Sequence, residues 1–208
     1  MVMAAARRNE VYTPSQVSAA TGLPLPAVHK AIEHRLIRPL RIREGKVVRC
    51  LLSKSQVLYL VLEAKGLRVL PLATRRQIAK AIERDPTMDT MAISKESVLL
   101  IQLGWVRKQV VAGLDRLAEA ERMVDTDPEL MRGVPVYRGT RIPVHAIADM
   151  LSQGATVDDI LEGYPALTRK KVMLAPFYVE AFPRRGRPAM RPWARRESRR
   201  AVEHRLAS

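Results

Sequence analysis

YTPSQVSAATGLPLPAVHKAIEHRL, residues 12–36, decides how the chain is read. Thr13 is a natural N-cap, Pro14 stands at the first helical position, and Gln16 three residues after the cap completes a capping box. Val17 and Ala20 give this short helix an apolar face, and Gly22 ends it in a turn. Leu25, Val28, Ile32 and Leu36 then recur at spacings of three and four, which predicts a second amphipathic helix. Helix, glycine turn and helix packed into so short a span is helix-turn-helix geometry.

The flanking residues extend that unit. LRIREGKVVRCLL, residues 40–52, has two β-rich arms around Glu44-Gly45 and predicts a hairpin. Ser53 caps a further helix, SKSQVLYLVLEAKG, which Gly66 closes. Over residues 11–66 this layout resembles the winged helix-turn-helix of MerR-type regulators, whose second helix enters the major groove while the wing touches the backbone. The resemblance implies His29, Lys30 and Arg35 as DNA contacts of the helix, and Arg41, Arg43 and Lys46 as those of the wing. A small helical domain that merely packs is the alternative.

Residues 72–84, LATRRQIAKAIER, predict a basic amphipathic helix that Asp85-Pro86 stops. SVLLIQLGWV, residues 97–106, is short and apolar and predicts a buried strand. In the helix that follows, Val106, Val110, Leu114, Leu117 and Val124 form one stripe, as expected of core or of a dimer seam. A dimer suits a helix-turn-helix protein reading a two-fold site.

Asp125–Glu129, DTDPE, breaks that helix, and GVPVYRGTRIPVHAIADMLSQGATVDDILEGYP follows at residues 133–165. Pro135–Tyr137 and Ile142–Val144 are extended arms around Arg138-Gly139-Thr140-Arg141. Gly139 permits the positive φ of a tight turn, and Pro143 forces Ile142 towards extended geometry. Val144, Ile147 and Leu151 share one face of the next helix. Thr156 caps another, with Asp158 and Asp159 in its first turn complementing the dipole. Thr168 caps a third that opens with Arg169, Lys170 and Lys171. The arms either pair with a second copy or close the core. The turn aims Arg138 and Arg141 at one surface, as contacts for protein or DNA, or as solvated turn residues.

From about residue 123 to 182, the order DPE, G-x-P-V-x-R-G-T-R-I-P-V, helix, glycine turn and I-L-x-x-Y-P resembles the GTRIPV-signature, VapB-like antitoxins. The resemblance implies an antitoxin of a type II toxin–antitoxin system. It would bind and inhibit a PIN-like ribonuclease toxin and repress its own operon by binding operator double-stranded DNA. The long stretch before the signature departs from the shortest members, so either helix-turn-helix unit, the second through Arg169, Lys170 and Lys171, is a candidate for the operator.

The chain changes character after Pro183. The last 25 residues hold nine arginines, no lysine and two glutamates, a net +7 out of a total of +15. Arginine suits bidentate contact with carboxylate or phosphate. Arg184, Arg185, Gly186, Arg187, Pro188, Arg191, Trp193, Arg195 and Arg196 are the candidate toxin- or DNA-binding residues of this segment. Arg185-Gly186-Arg187-Pro188 resembles the core of an AT-hook, which would make the chain a stand-alone regulator. The segment is read as wrapping an acidic toxin, as holding DNA, or as a solvated basic end.

The pI near 10.7 favours a polyanionic partner. A single cysteine, Cys50, and four dispersed histidines offer no metal site or disulfide framework. No apolar run approaches the ~20 residues that span a bilayer, and MVMAAARRNE lacks the apolar core of a secretory signal. A cytoplasmic protein, likewise without cofactor or catalytic constellation, is expected. The expected fold is mainly α, with two helix-turn-helix-type units joined by helices, the first with a β-hairpin wing and the second preceded by a short β-hairpin. The expected divisions are a flexible stretch 1–10, a winged DNA-binding domain 11–70, a helical linker or dimerisation region 71–124, a signature domain 125–183 and an Arg-rich segment 184–208.

Overall fold

The computed structural model of the chain describes residues 11–45, 47–92, 100–127 and 133–184. It is mainly helical, with small antiparallel sheets. Strand β1 (Val11–Tyr12) leads into α1 (Pro14–Thr21). The Thr13 hydroxyl accepts from the Gln16 N–H, and the Gln16 side chain accepts from the Thr13 N–H at 2.7 Å, so two donors left over at the helix start are satisfied reciprocally. Gly22, at φ +70°, ends α1 in a conformation that costs glycine little. Helix α2 (Leu25–Glu33) starts between Pro24 and Pro26 and buries Val28 and Ala31. Arg35, at φ 55°, turns the chain beyond it and lets Leu36 bury.

Strands β2 (Leu40–Glu44) and β3 (Val47–Ser53) pair antiparallel around Gly45, with Leu40 opposite Leu51 and Arg43 opposite Val48. β1 lies on the far side of β3, giving the order β1-β3-β2. Ser53 and Gln56 form a second capping box at the start of α3 (Lys54–Lys65). Val57 to Leu62 are all buried, so α3 is enclosed on every side, and α4 (Leu72–Arg84) covers it. The buried Gln56 amide donates to the Arg38 carbonyl at 2.9 Å and to Glu83 at 3.1 Å, tying the start of the hairpin to both helices.

Strands β4 (Thr90–Ala92) and β5 (Leu100–Gln102) form a small hairpin. The strand expected over 97–106 is therefore shorter at its far end, and residues 97–99 lie outside the described residues. Leu103 donates its N–H to the Asp89 carbonyl while its own carbonyl accepts from Arg107, so helical bonding begins there and Gly104 opens α5 (Gly104–Arg122). The α5 stripe of Val106, Val110, Leu114 and Leu117 is buried inside the chain, against α1, α3 and α8 (Arg169–Ala181), so the stripe is core. Val124 falls beyond the helix, in β6 (Val124–Asp125).

The arms around Gly139 close within the chain. β7 (Val136–Tyr137) pairs with β6 on one edge, and on the other Val136 bridges Pro143. Tyr137 donates to the Ile142 carbonyl and Val144 to the Pro135 carbonyl, each at 3.0 Å. Gly139 takes φ +76° at the tip. Helices α6 (Val144–Ser152) and α7 (Val157–Gly163) follow, and α8 packs on both. α8 also lies along α1, which is thereby held between α5 and α8. Among the described residues, one apolar core runs from Val17 through Tyr59 and Leu117 to Phe177 and Tyr178.

Candidate nucleic-acid interface

Burial of Val28 and Ala31 fixes the rotation of α2 and turns His29, Lys30 and Glu33 outward. His34 and Arg35 continue that exposed surface past the helix end, and Arg76 of α4 pins it by donating to the His34 carbonyl at 3.1 Å. In the hairpin, Arg41 and Arg43 are two residues apart and share one face, as strand alternation requires. Both are exposed, and the Arg43 Nε donates to the Gly45 carbonyl at 3.2 Å, bracing the turn. Lys46 lies outside the described residues. Among the described residues, Lys30, Arg35, Arg38, Arg41 and Arg43 make no ion pair and are exposed, so these five charges face solvent uncompensated.

Four basic residues of the second unit are ion-paired. Arg169 pairs with Asp158 of α7, and Lys170 pairs with Glu119 of α5. Lys171 is half-buried, and its carbonyl accepts from the Tyr137 hydroxyl at 3.1 Å. Arg138 holds Asp125 at 3.0 Å across the β6–β7 pair, and Arg184 holds Asp149 at 3.0 Å. Arg141 is exposed at the turn. At 1.5 Å per residue, α8 is about 20 Å long, so its basic first turn sits far from its last turn. That last turn, through Ala181 to Pro183, lines a groove together with His29 of α2 and Arg49 of β3. The structure thus gathers His29, Lys30, Arg35, Arg41 and Arg43 in one unit and leaves Arg169, Lys170 and Lys171 at the other end of α8. Arg185, Gly186, Arg187, Pro188, Arg191, Trp193, Arg195 and Arg196 lie outside the described residues.

Sequence reasoning missed two features. Arg38 and Arg68 are exposed beside α2, and Arg68 lines a cleft of about 430 Å³ with Lys30 and His34. Behind that cleft Glu63 is 5% exposed, accepts from the Tyr59 hydroxyl at 3.0 Å and from the Arg75 Nε at 3.1 Å, and pairs with the Arg75 guanidinium. Burial and the neighbouring carboxylate push the Tyr59 hydroxyl pKa above its ordinary value, so it stays a donor. The i, i+4 spacing of Tyr59 and Glu63 was visible in the sequence, whereas the partnership with Arg75 needed the tertiary fold.

A family model described as a protein of unknown function, DUF433, matches residues 124–179. An uncharacterized protein, y4eO, of Sinorhizobium fredii (strain NBRC 101917 / NGR234) is 45% identical over 74 residues. That match covers 36% of this chain, and the chain spans about a third of the relative's length. No solved structure matches. These findings correct the expected family: the GTRIPV block falls inside the DUF433 match, and neither DUF433 nor y4eO carries a VapB-like or MerR-like description. Among the described residues no helix is long and apolar enough to cross a membrane, and no cluster of metal-ligating side chains occurs.

Proposed function

We propose that this chain binds double-stranded DNA as a transcription regulator, with α1 and α2 forming a helix-turn-helix and the β2–β3 hairpin serving as its wing. The observation that carries the reading is the contrast between Lys30, Arg35, Arg41 and Arg43, which make no ion pair among the described residues, and Arg169 and Lys170 of α8, which are ion-paired. A helix of nine residues fits the major groove, where Lys30 and Arg35 reach phosphates or base edges. Arg41 and Arg43 then meet the backbone alongside, which positions the helix without reading sequence. The α6–α8 unit serves as a brace behind α1. Two copies on one site would set half-sites roughly 34 Å apart.

The toxin-inhibiting half of the expected function rested on the family resemblance, and no interaction among the described residues favours it. The test is a titration of a duplex taken from the DNA upstream of the protein's own reading frame, at several salt concentrations, with copurifying proteins identified in parallel. Lys30→Ala with Arg35→Ala is expected to weaken binding by at least about 10-fold and to flatten the log Kd against log salt slope by roughly 2, about one for each phosphate no longer neutralised. Unchanged affinity would refute the assignment of α2. A ribonuclease that copurifies and is silenced while bound would restore the antitoxin reading.

A further inference from the structure

One stripe of α2 and the residue that caps its end look away from the exposed surface and into the cleft beside Arg68. Ala27, Lys30, Ala31 and His34 line that cleft and recur at helical spacing, while Glu63 of α3 and Arg75 of α4 form the opposite wall. The cleft holds about 430 Å³, within the range of roughly 300–1,000 Å³ that small-molecule sites take.

Its charge is one-sided. Among the described residues, Glu63 is the one carboxylate that lines it, and the Arg75 guanidinium neutralises that carboxylate. Lys30 and Arg68 make no ion pair among the described residues, so two cations remain in excess, and the His34 ring adds a polar nitrogen. Ala27, Ala31 and Leu36 supply an apolar wall, and such low-dielectric walls focus the field of the cations into the cleft. Depth separates this site from the surface that meets DNA. Ala31, Leu36 and Glu63 are buried, so the inner wall admits a molecule small enough to pass between helices. A phosphate of a duplex backbone stops at the rim, where Lys30 is exposed.

We propose that this cleft binds a small organic anion, a carboxylate or phosphate ester on an apolar body, and that the bound anion withdraws Lys30 from DNA. The Arg68 guanidinium takes the anionic head in a forked, charge-assisted contact. The Lys30 ammonium, on its flexible stem, turns inward from the rim to the same head. The apolar body lies against Ala27, Ala31 and Leu36. Lys30 then no longer neutralises a DNA phosphate, so the anion weakens DNA binding. The site stands independently of the DNA-binding reading above, and its regulatory effect rests on that reading.

Phenyl phosphate and benzoate are the probes, titrated by calorimetry into the full chain without DNA. Phenol and inorganic phosphate serve as the body alone and the charge alone. At least one probe is expected to bind about 10-fold or more tightly than either half. Arg68→Ala is expected to weaken that binding at least about 10-fold through the loss of a charge-assisted contact. Ala27→Leu, which fills the cleft from a half-buried position, is expected to weaken it as much with far-UV dichroism unchanged. Probes that bind no better than phenol, or binding that survives both variants, would overturn the site. The duplex from upstream of the reading frame is then titrated at constant ionic strength, with and without saturating probe. The probe is expected to raise Kd at least about threefold for the native chain and under about 1.5-fold for Ala27→Leu. No effect on the native chain, or an equal effect on both proteins, would overturn the regulation. If Lys30→Ala with Arg35→Ala leaves DNA affinity unchanged, the assignment of α2 fails, and the cleft is decided by the calorimetry, which involves no DNA.

Discussion

Gly113 sits where α5 crosses α1, and a Cβ placed there would meet the Ala20 carbonyl oxygen at 1.9 Å and its carbon at 2.8 Å. Backbone cannot yield as a flexible side chain can, so the two helices must separate to admit one methyl group. Gly113→Ala gains about 1 kcal/mol of helix propensity and loses more to overpacking. The expected net result is a destabilisation of about 1–3 kcal/mol, read as a lower urea midpoint with an unchanged m-value. His145 is the other residue under constraint. It is 5% exposed, its Nε2 finds no hydrogen-bond partner among the described residues, and it stands edge-on to Tyr178, whose ring stacks on Phe182. Burial, then the nearby Arg184 guanidinium, holds its pKa below the ordinary imidazole value, with a backbone hydrogen bond to Phe182 and then Asp149 pulling the other way. The unfolded chain therefore binds a proton more readily than the folded one. Stability is expected to rise with pH in this window and to be lost as pH falls below about 6.5. His145→Phe is expected to flatten that loss in denaturation curves recorded from about pH 7.5 to 5; an equal slope in both proteins would show that His145 is not its source.

At the scale of elements, much was legible and the reasons are local. Thr13, Ser53, Thr156 and Thr168 start helices as their side chains dictate, and Gly22, Gly45 and Gly139 sit at positive φ in the turns where they were placed. One reading ran too far and another stayed open because the deciding bonds are long-range. The apolar run ending at Gly104 has no periodicity to separate strand from helix, and the Asp89 carbonyl settles the boundary. The arms around Gly139 offered a free edge for a second copy, and that edge is occupied by Val124 and Asp125, a pairing no spacing rule announces. The cations of α8 are the functional counterpart. In sequence, Arg169 and Lys170 look as available as Lys30, yet Asp158 and Glu119 engage them. Arg169→Ala with Lys170→Ala is expected to change DNA affinity by less than about threefold, since exposed ion pairs contribute little and these cations are already paired. A loss as large as that of the α2 variant would move the interface to the second unit.

At the scale of the molecule, composition pointed to an acidic partner, and a single apolar core holds residues from both sides of the expected boundaries near residues 70 and 125. Sequence signals of capping and periodicity are blind to this, because each unit carries its own caps and stripes while the surface that joins them is simply more apolar residues, such as Ala20 and Ala175. Heating is expected to give a single transition, with calorimetric and van't Hoff enthalpies equal and far-UV dichroism coincident. Two resolved transitions would mean that the α6–α8 unit melts alone. The clamping of α1 between α5 and α8 has a thermodynamic consequence. A molecule that seats on the α6–α8 unit and prefers one setting of α1 over another shifts the presentation of α2 by that preference. DNA held by α2 must then alter the affinity for that molecule by the same factor, so the two surfaces are linked reciprocally, whichever partner arrives first.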